Sequence, residues 1–282
     1  MKYKKLKYLG IALTFWLLIG SCFQFRSSDR KQLKELKQTS KLFYVDIGTK
    51  LAEGRNIHFT QVGKDSTKPT VVFIHGSPGS SSNFMQYAKD TAMLNHFNVL
   101  LIDRPGFGYS DFGKSEPSIS RQAKMLSSVV SQFNNQRCIL VGHSLGGPII
   151  CKMAMDDSEI ADGLLIIAGS VAPDLEPVEK WRKPMSKKWL SWLMPKSFRV
   201  SNEEIIPVKE ELTKMETLWD KITIDVKIIQ GGRDKLVPSG NEDYAEKKLI
   251  NARSVEIFRY PKENHFIPFT EPHLVIEALR RF

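Results

Sequence analysis

Six short, predominantly apolar runs most constrain how this chain can fold: residues 70–74, 97–102, 138–141, 163–168, 226–229 and 254–258. Strands apolar on both faces need cover on both sides, which a parallel sheet flanked by helices supplies. Helical stretches are expected between them at about 82–94, 118–133, 145–156, 240–250 and 271–281. This alternation predicts an α/β fold with a doubly wound, mostly parallel central sheet and helices on both faces. Two earlier segments, 42–47 and 56–62, read as antiparallel-type strands, followed by a turn at 65–69. A chain of 282 residues can bury the core of one such domain. With 41% hydrophobic and 26% charged residues, its composition excludes a disordered chain. No internal period marks a repeat array.

The alternation breaks once. Residues 172–223 carry no clear strand and hold four of the five tryptophans, Trp181, Trp189, Trp192 and Trp219. They are expected to form an inserted helical lid, which leaves 42–171 and 224–282 as the core. From Lys180 to Arg199 the lid has seven basic residues and no acid. Three roles stay open for Trp181, Trp189 and Trp192: walling a substrate pocket, anchoring the lid to the core, or facing an anionic membrane surface.

The N-terminus reads as a targeting segment, residues 1–25. Lys2, Lys4, Lys5 and Lys7 precede a run without charge from Tyr8 to Phe25, in the pattern of a secretory signal. Gly20-Ser21-Cys22 resembles a bacterial lipoprotein box, which makes Cys22 the expected lipidation site. The run is also long enough for an uncleaved membrane anchor. Either way the domain is expected to be membrane-tethered and outside the cytoplasm, with 26–41 as a polar tether. The net charge of +10 comes with no basic helix or aromatic-basic motif, so nucleic acid is not an expected partner. Cys138 and Cys151 flank a turn in different elements and are expected to be buried thiols. No zinc-like spacing occurs.

Chemistry enters with Gly142-His143-Ser144-Leu145-Gly146, set between the apolar run 138–141 and a helical stretch. In a strand–turn–helix context this G-x-S-x-G pattern presents the serine hydroxyl at the sheet end, on a strained turn that needs small neighbours. The turn also aims the backbone N–H of Leu145 at a developing oxyanion. Ser144 then needs a base, and the base needs an orienting carboxylate. Of six histidines, His265 is the one placed after a late strand's carboxyl end. Asp234 follows the run 226–229 in a glycine-containing turn, so the order is Ser, Asp, His. Asp174 is the alternative acid.

These segments together resemble the α/β-hydrolase fold family, in its branch with a helical cap, over about residues 41–282. His75-Gly76-Ser77-Pro78-Gly79 resembles the family's oxyanion loop. The segment 103–110, Asp-Arg-Pro-Gly-Phe-Gly-Tyr-Ser, resembles its D-x-x-G-x-G-x-S turn, in which the aspartate is structural. The elbow, Asp234 and His265 match in order. The resemblance assigns the oxyanion hole to the amides of Ser77 and Leu145, and makes His75 a turn residue rather than a base. Asn264 stands where many relatives carry glycine. A serine at the elbow argues against the dehalogenase and epoxide-hydrolase branches, which use carboxylate nucleophiles.

The expected reaction is hydrolysis of a small ester-like molecule through an acyl-enzyme on Ser144, with His265 as base and Asp234 as its partner. It calls for no metal or organic cofactor. An amidase or iminopeptidase, a thioesterase, a carbon–carbon hydrolase, or a membrane-tethered lipase would use the same triad.

Overall fold

The computed structural model describes residues 24–39, 43–133 and 137–282. Cys22 and nearly all of the targeting segment lie outside them. Among the described residues no helix is long and apolar enough to cross a membrane.

Eight strands among the described residues form one sheet in the order β1-β2-β4-β3-β5-β6-β7-β8. They are β1 Val45–Ala52, β2 Arg55–Val62, β3 Thr70–Ile74, β4 Asn98–Ile102, β5 Cys138–His143, β6 Gly163–Ile167, β7 Asp225–Gly231 and β8 Ser254–Tyr260. β1 and β2 pair antiparallel with each other, and β2 pairs antiparallel with β4. Every other pairing is parallel. Among the described residues seven helices have eight or more residues: α1 Asp29–Thr39, α2 Ile119–Val130, α3 Gly146–Asp156, α4 Lys196–Ile205, α5 Val208–Met215, α6 Asn241–Lys248 and α7 Pro272–Leu279. The expected doubly wound sheet is therefore what forms.

The apolar runs sort by the two-residue period of a strand. Val72, Ile74, Leu100, Ile102, Leu140, Leu164, Ile166, Val226 and Ile228 pack into the cluster that holds α2 and α3. Their neighbours Val71, Phe73, Val99, Leu101, Ile139, Val141, Leu165 and Ile167 face the opposite side, with residues of α7 and with Leu36 of α1. Cys138 and Cys151 are free and buried. Burial pushes the Cys138 thiol up to about 12 and the Cys151 thiol higher still.

Two segments differ from their sequence reading. The helix expected over 82–94 breaks into short pieces, because Asp90 is extended and caps the next turn through Met93 N. The segment expected as a tether is packed against the domain. Leu36 of α1 is wholly buried in the core, and Gln32 hydrogen-bonds both Ser27 O and Thr60 Oγ1. The physical reason is spacing: Gln32 and Leu36, four apart, share one helix face.

Candidate active site

Ser144 sits between β5 and α3 at a φ of 55°, a left-handed conformation rare for a side-chain-bearing residue. The turn is held by Ser144 N donating to Ile167 O at 3.0 Å and by Gly147 N donating to Ser144 O at 2.9 Å. It closes only with glycine on either side. A Cβ on Gly142 would lie 2.4 Å from Gly146 O, and one on Gly146 would lie 2.3 Å from Ile74 O. Leu145 is the N-cap of α3, so its amide lies at the positive end of a helix. The 75–79 loop presses on this elbow: a Cβ built on Gly76 would stand 2.8 Å from Ser144 Cβ.

His265 lies past β8 and Asp234 past β7, the neighbouring strand, so two strand ends deliver them together. His265 Nδ1 donates to Asp234 Oδ2 at 2.7 Å, and both side chains are buried. The other carboxylate oxygen accepts from Leu236 N and Val237 N, each at 2.8 Å. Asp234 thus has no freedom to turn away. His143 Nε2 donates to His265 O at 2.9 Å and braces the loop that carries the imidazole. Burial, and then the neighbouring His265, lower the His143 pKa to about 3, so it stays neutral.

Two cavities meet at Ser144 and His265. The smaller, about 230 Å³, is walled by Ser77, Leu145, Val237 and, from the lid, Glu176, Arg182 and Val208. The larger, about 540 Å³, is walled by the 75–79 loop, Leu236, Phe266, Phe269 and Phe25. Burial raises the Glu176 pKa, against the hydrogen bond it accepts from Ser170 Oγ.

Around the site lies a buried network that sequence reading did not anticipate. Arg104 is fully buried, and its Nε and Nη2 donate to the carbonyls of His75 and Gly76 at 2.8 and 2.9 Å. The same guanidinium forms a two-pronged pair with Glu204 of α4 at 2.8 and 2.9 Å, and reaches Gln122 of α2 at 3.0 Å. All five of its N–H groups are used. One side chain therefore ties the 75–79 loop to the lid. His75 is a turn residue: its Nε2 accepts from Arg104 N, and its Nδ1 donates to Gly76 O. Burial, then the charge of Arg104, lower its pKa to about 3. Asp103 is likewise structural, accepting from Ser81 N and Tyr109 N and pairing with His58 Nδ1 at 3.0 Å.

The expected residues Ser77, Ser144, Leu145 and His265 all line one cavity, with Asp234 behind His265. The tryptophans do not join them. Trp181, Trp189 and Trp192 are exposed, and none walls either cavity at Ser144. Trp181 stacks on Arg182 at 4.6 Å near the surface. The lid reaches the cavity instead through Glu176, Pro177, Glu179, Arg182, Ile205 and Val208. Asp174, the alternative acid, is 96% exposed and pairs with Lys209.

A family profile described as alpha/beta hydrolase fold matches residues 69–196. Among curated proteins, the chain is 24% identical to one of Haemophilus influenzae with a provisional esterase/lipase name, over 80% of this chain and 87% of that one. It is 30% identical to an sn-1-specific diacylglycerol lipase of Mus musculus over 40% of this chain and 35% of that one. It is equally close to a proline iminopeptidase of Saccharolobus solfataricus, over 44% and 41%. Of solved structures, an esterase from Exiguobacterium antarcticum superposes with a TM-score of 0.64 at 19% identity, covering 83% of this chain and 97% of that one. A membrane phospholipase A superposes at 0.63 with 16% identity, over 98% and 97%. Sheet order, strained serine turn and relatives point one way, and the chain is a hydrolytic enzyme of the α/β-hydrolase fold.

Proposed function

We propose that the chain is a serine hydrolase that cleaves a carboxylic ester through an acyl-enzyme. The observation that carries this reading is a convergence. A serine at positive φ shares its cavity with a histidine whose Nδ1–H is committed to a buried aspartate. With Nδ1 so committed, Nε2 keeps its lone pair for a proton. Ser144 Oγ attacks the ester carbonyl carbon and His265 Nε2 takes the hydroxyl proton. The amides of Ser77 and Leu145 hold the tetrahedral oxyanion. Collapse breaks the bond to the alkoxide, which leaves with the proton from His265. Water, deprotonated by His265, then attacks the acyl-serine and releases the acid. Asp234 holds the tautomer and stabilises the imidazolium without taking the proton.

The two cavities that share Ser144 suit a substrate with groups on both sides of the scissile bond. The larger, with Phe25, Phe266, Phe269 and Leu236, suits an apolar chain. The esterase and lipase names of two of the three curated relatives support an ester, and the iminopeptidase keeps an amide as the second reading. We further infer that the N-terminus holds the enzyme at a membrane outside the cytoplasm, through a lipid on Cys22 once the residues before it are cleaved. The lysine cluster and the charge-free run support this.

Replacing Ser144 by alanine is the direct test. Hydrolysis of p-nitrophenyl esters by the purified full chain should fall by about 10⁶-fold, the scale of nucleophile removal in such triads. Labelling by a fluorophosphonate should disappear with it. Activity within about tenfold of the parent would exclude Ser144 as the nucleophile.

A further inference from the structure

Phe25 and Phe198 meet edge to face with ring centroids 5.5 Å apart. Phe25 is also a wall of the larger cavity at Ser144. Phe198 is a wall of a separate, almost wholly apolar groove with Trp181, Met185, Leu193, Met194 and Pro195. One ring contact thus joins the catalytic cavity, the apolar groove of the lid and the end of the charge-free run.

That end is fixed to the body of the enzyme. The Arg26 guanidinium lies over Tyr109 at 4.2 Å and over Phe112 at 4.6 Å, and donates to Gly108 O. Ser27 N donates to Ser82 Oγ at 2.9 Å, and Phe25 O accepts from Ser80 Oγ. Phe25, at the end of the charge-free run, is therefore held against the lid groove through Phe198.

The lid segment is dressed for an anionic, amphipathic partner. Trp189 and Trp192 are 67% and 59% exposed, and Trp181 is 49% exposed. Exposed Lys180, Lys183, Lys187, Lys188 and Lys196 are interleaved with them, while Arg182 pairs with Glu179 and Arg199 with Glu203. Indole rings and lysine stems are the groups that partition to a membrane interface. A basic cluster beside them adds attraction to anionic headgroups.

We propose that the lid face of residues 180–199 docks on an anionic lipid bilayer, with the Phe25 side of the catalytic cavity turned to that surface. Charge decides against the other occupants. A second copy seated symmetrically would set five lysines against five more. The apolar run 9–19 folded back into the groove would bring Lys2, Lys4, Lys5 and Lys7 beside the same cluster. Only an anionic surface satisfies both the indoles and the charge. The inference stands apart from the reaction at Ser144, since it concerns where the cavity faces rather than what it cleaves.

The test uses the full chain with Trp16→Phe, reconstituted in phosphatidylcholine–phosphatidylglycerol vesicles with brominated acyl chains. Bromine quenches an indole only near contact. Three of the four remaining tryptophans are the exposed ones of the lid, and Trp219 is buried. Fluorescence should fall about two-fold relative to unbrominated vesicles, because interfacial indoles reach the upper acyl chain. The quenching should weaken in pure phosphatidylcholine and in Lys187→Glu/Lys188→Glu, and most of it should vanish in Trp189→Phe/Trp192→Phe. Unchanged thermal midpoints would confirm that both variants fold. Absence of quenching on anionic vesicles overturns the proposal. So does quenching indifferent to both charge changes. Cross-linking of the groove to a second copy or to residues 9–19, with the indoles unquenched, also overturns it.

Discussion

Asp234 shows how one carboxylate is made single-minded. One oxygen is spent on two backbone amides and the other on His265. Asp234→Asn should keep the fold but present an amide N–H, or force the imidazole into the wrong tautomer. A drop in kcat of about 10⁴-fold is expected at neutral pH, as such a change produces in other triads. A loss below about tenfold, with the thermal midpoint unchanged, would remove Asp234 from the mechanism. Ser144 and Gly142 were legible as residues, because glycine two before a serine at a strand end has few other uses. Arg104 was not. An arginine in a glycine-rich turn reads as surface, and its burial depends on Glu204, a hundred residues away.

At the scale of elements, Arg104 couples α4 to the 75–79 loop. Glu204→Gln would leave a buried guanidinium unneutralised, which costs about 3–5 kcal/mol when a partner is removed from such a pair. If the loop is held through Arg104, kcat should fall more than KM rises, because the Ser77 amide is the proposed oxyanion donor and would matter most in the transition state. A change confined to KM would assign Arg104 to the lid alone.

A second inter-element contact predicts a pH response. His58 of β2 lies between Asp103, at 3.0 Å, and Asp29 of α1, at 3.2 Å. Burial opposes its charge, but the hydrogen bonds and charges of both aspartates prevail and raise its pKa above 6.5. A raised histidine contributes stability that is complete below its unfolded value and is lost as pH rises through the folded one. The thermal midpoint should therefore decline as pH climbs from about 6.5, and this decline should be absent in His58→Asn. Equal declines in both proteins would refute the assignment. The Asp103 carboxyl shifts the other way, since burial is outweighed by its bond to His58. Its contribution is lost only as pH falls below the usual carboxylate range.

For the whole molecule, α1 is part of the domain rather than its leash. Leu36 is wholly buried in the core cluster that includes Phe73 and Phe84, and Lys89 pairs with Glu35 at 3.0 Å. A chain beginning at Gln24 should melt with the parent domain. One beginning at Phe43 should lose about 2–5 kcal/mol, the scale of emptying a buried leucine site. Equal melting of the two truncations would show that α1 contributes nothing. The sequence hid this because a helix with two inward residues has too weak a pattern to read as core.

The sequence alone determined the fold class, the strands of the sheet, the serine turn, and the candidate histidine and aspartate that the fold brings beside it. Those follow from local rules: the two-residue strand period, the steric demand of the Gly142–Gly146 turn, and chain order at strand ends. Only the tertiary structure decided which lid residues reach Ser144, that Arg104 is buried, and that Phe25 belongs to the cavity wall. Those depend on contacts between residues far apart in the chain. The lid's short helices leave many packings compatible with one pattern of tryptophans, and the packing adopted buries Trp219 and turns the indoles of Trp181, Trp189 and Trp192 outward.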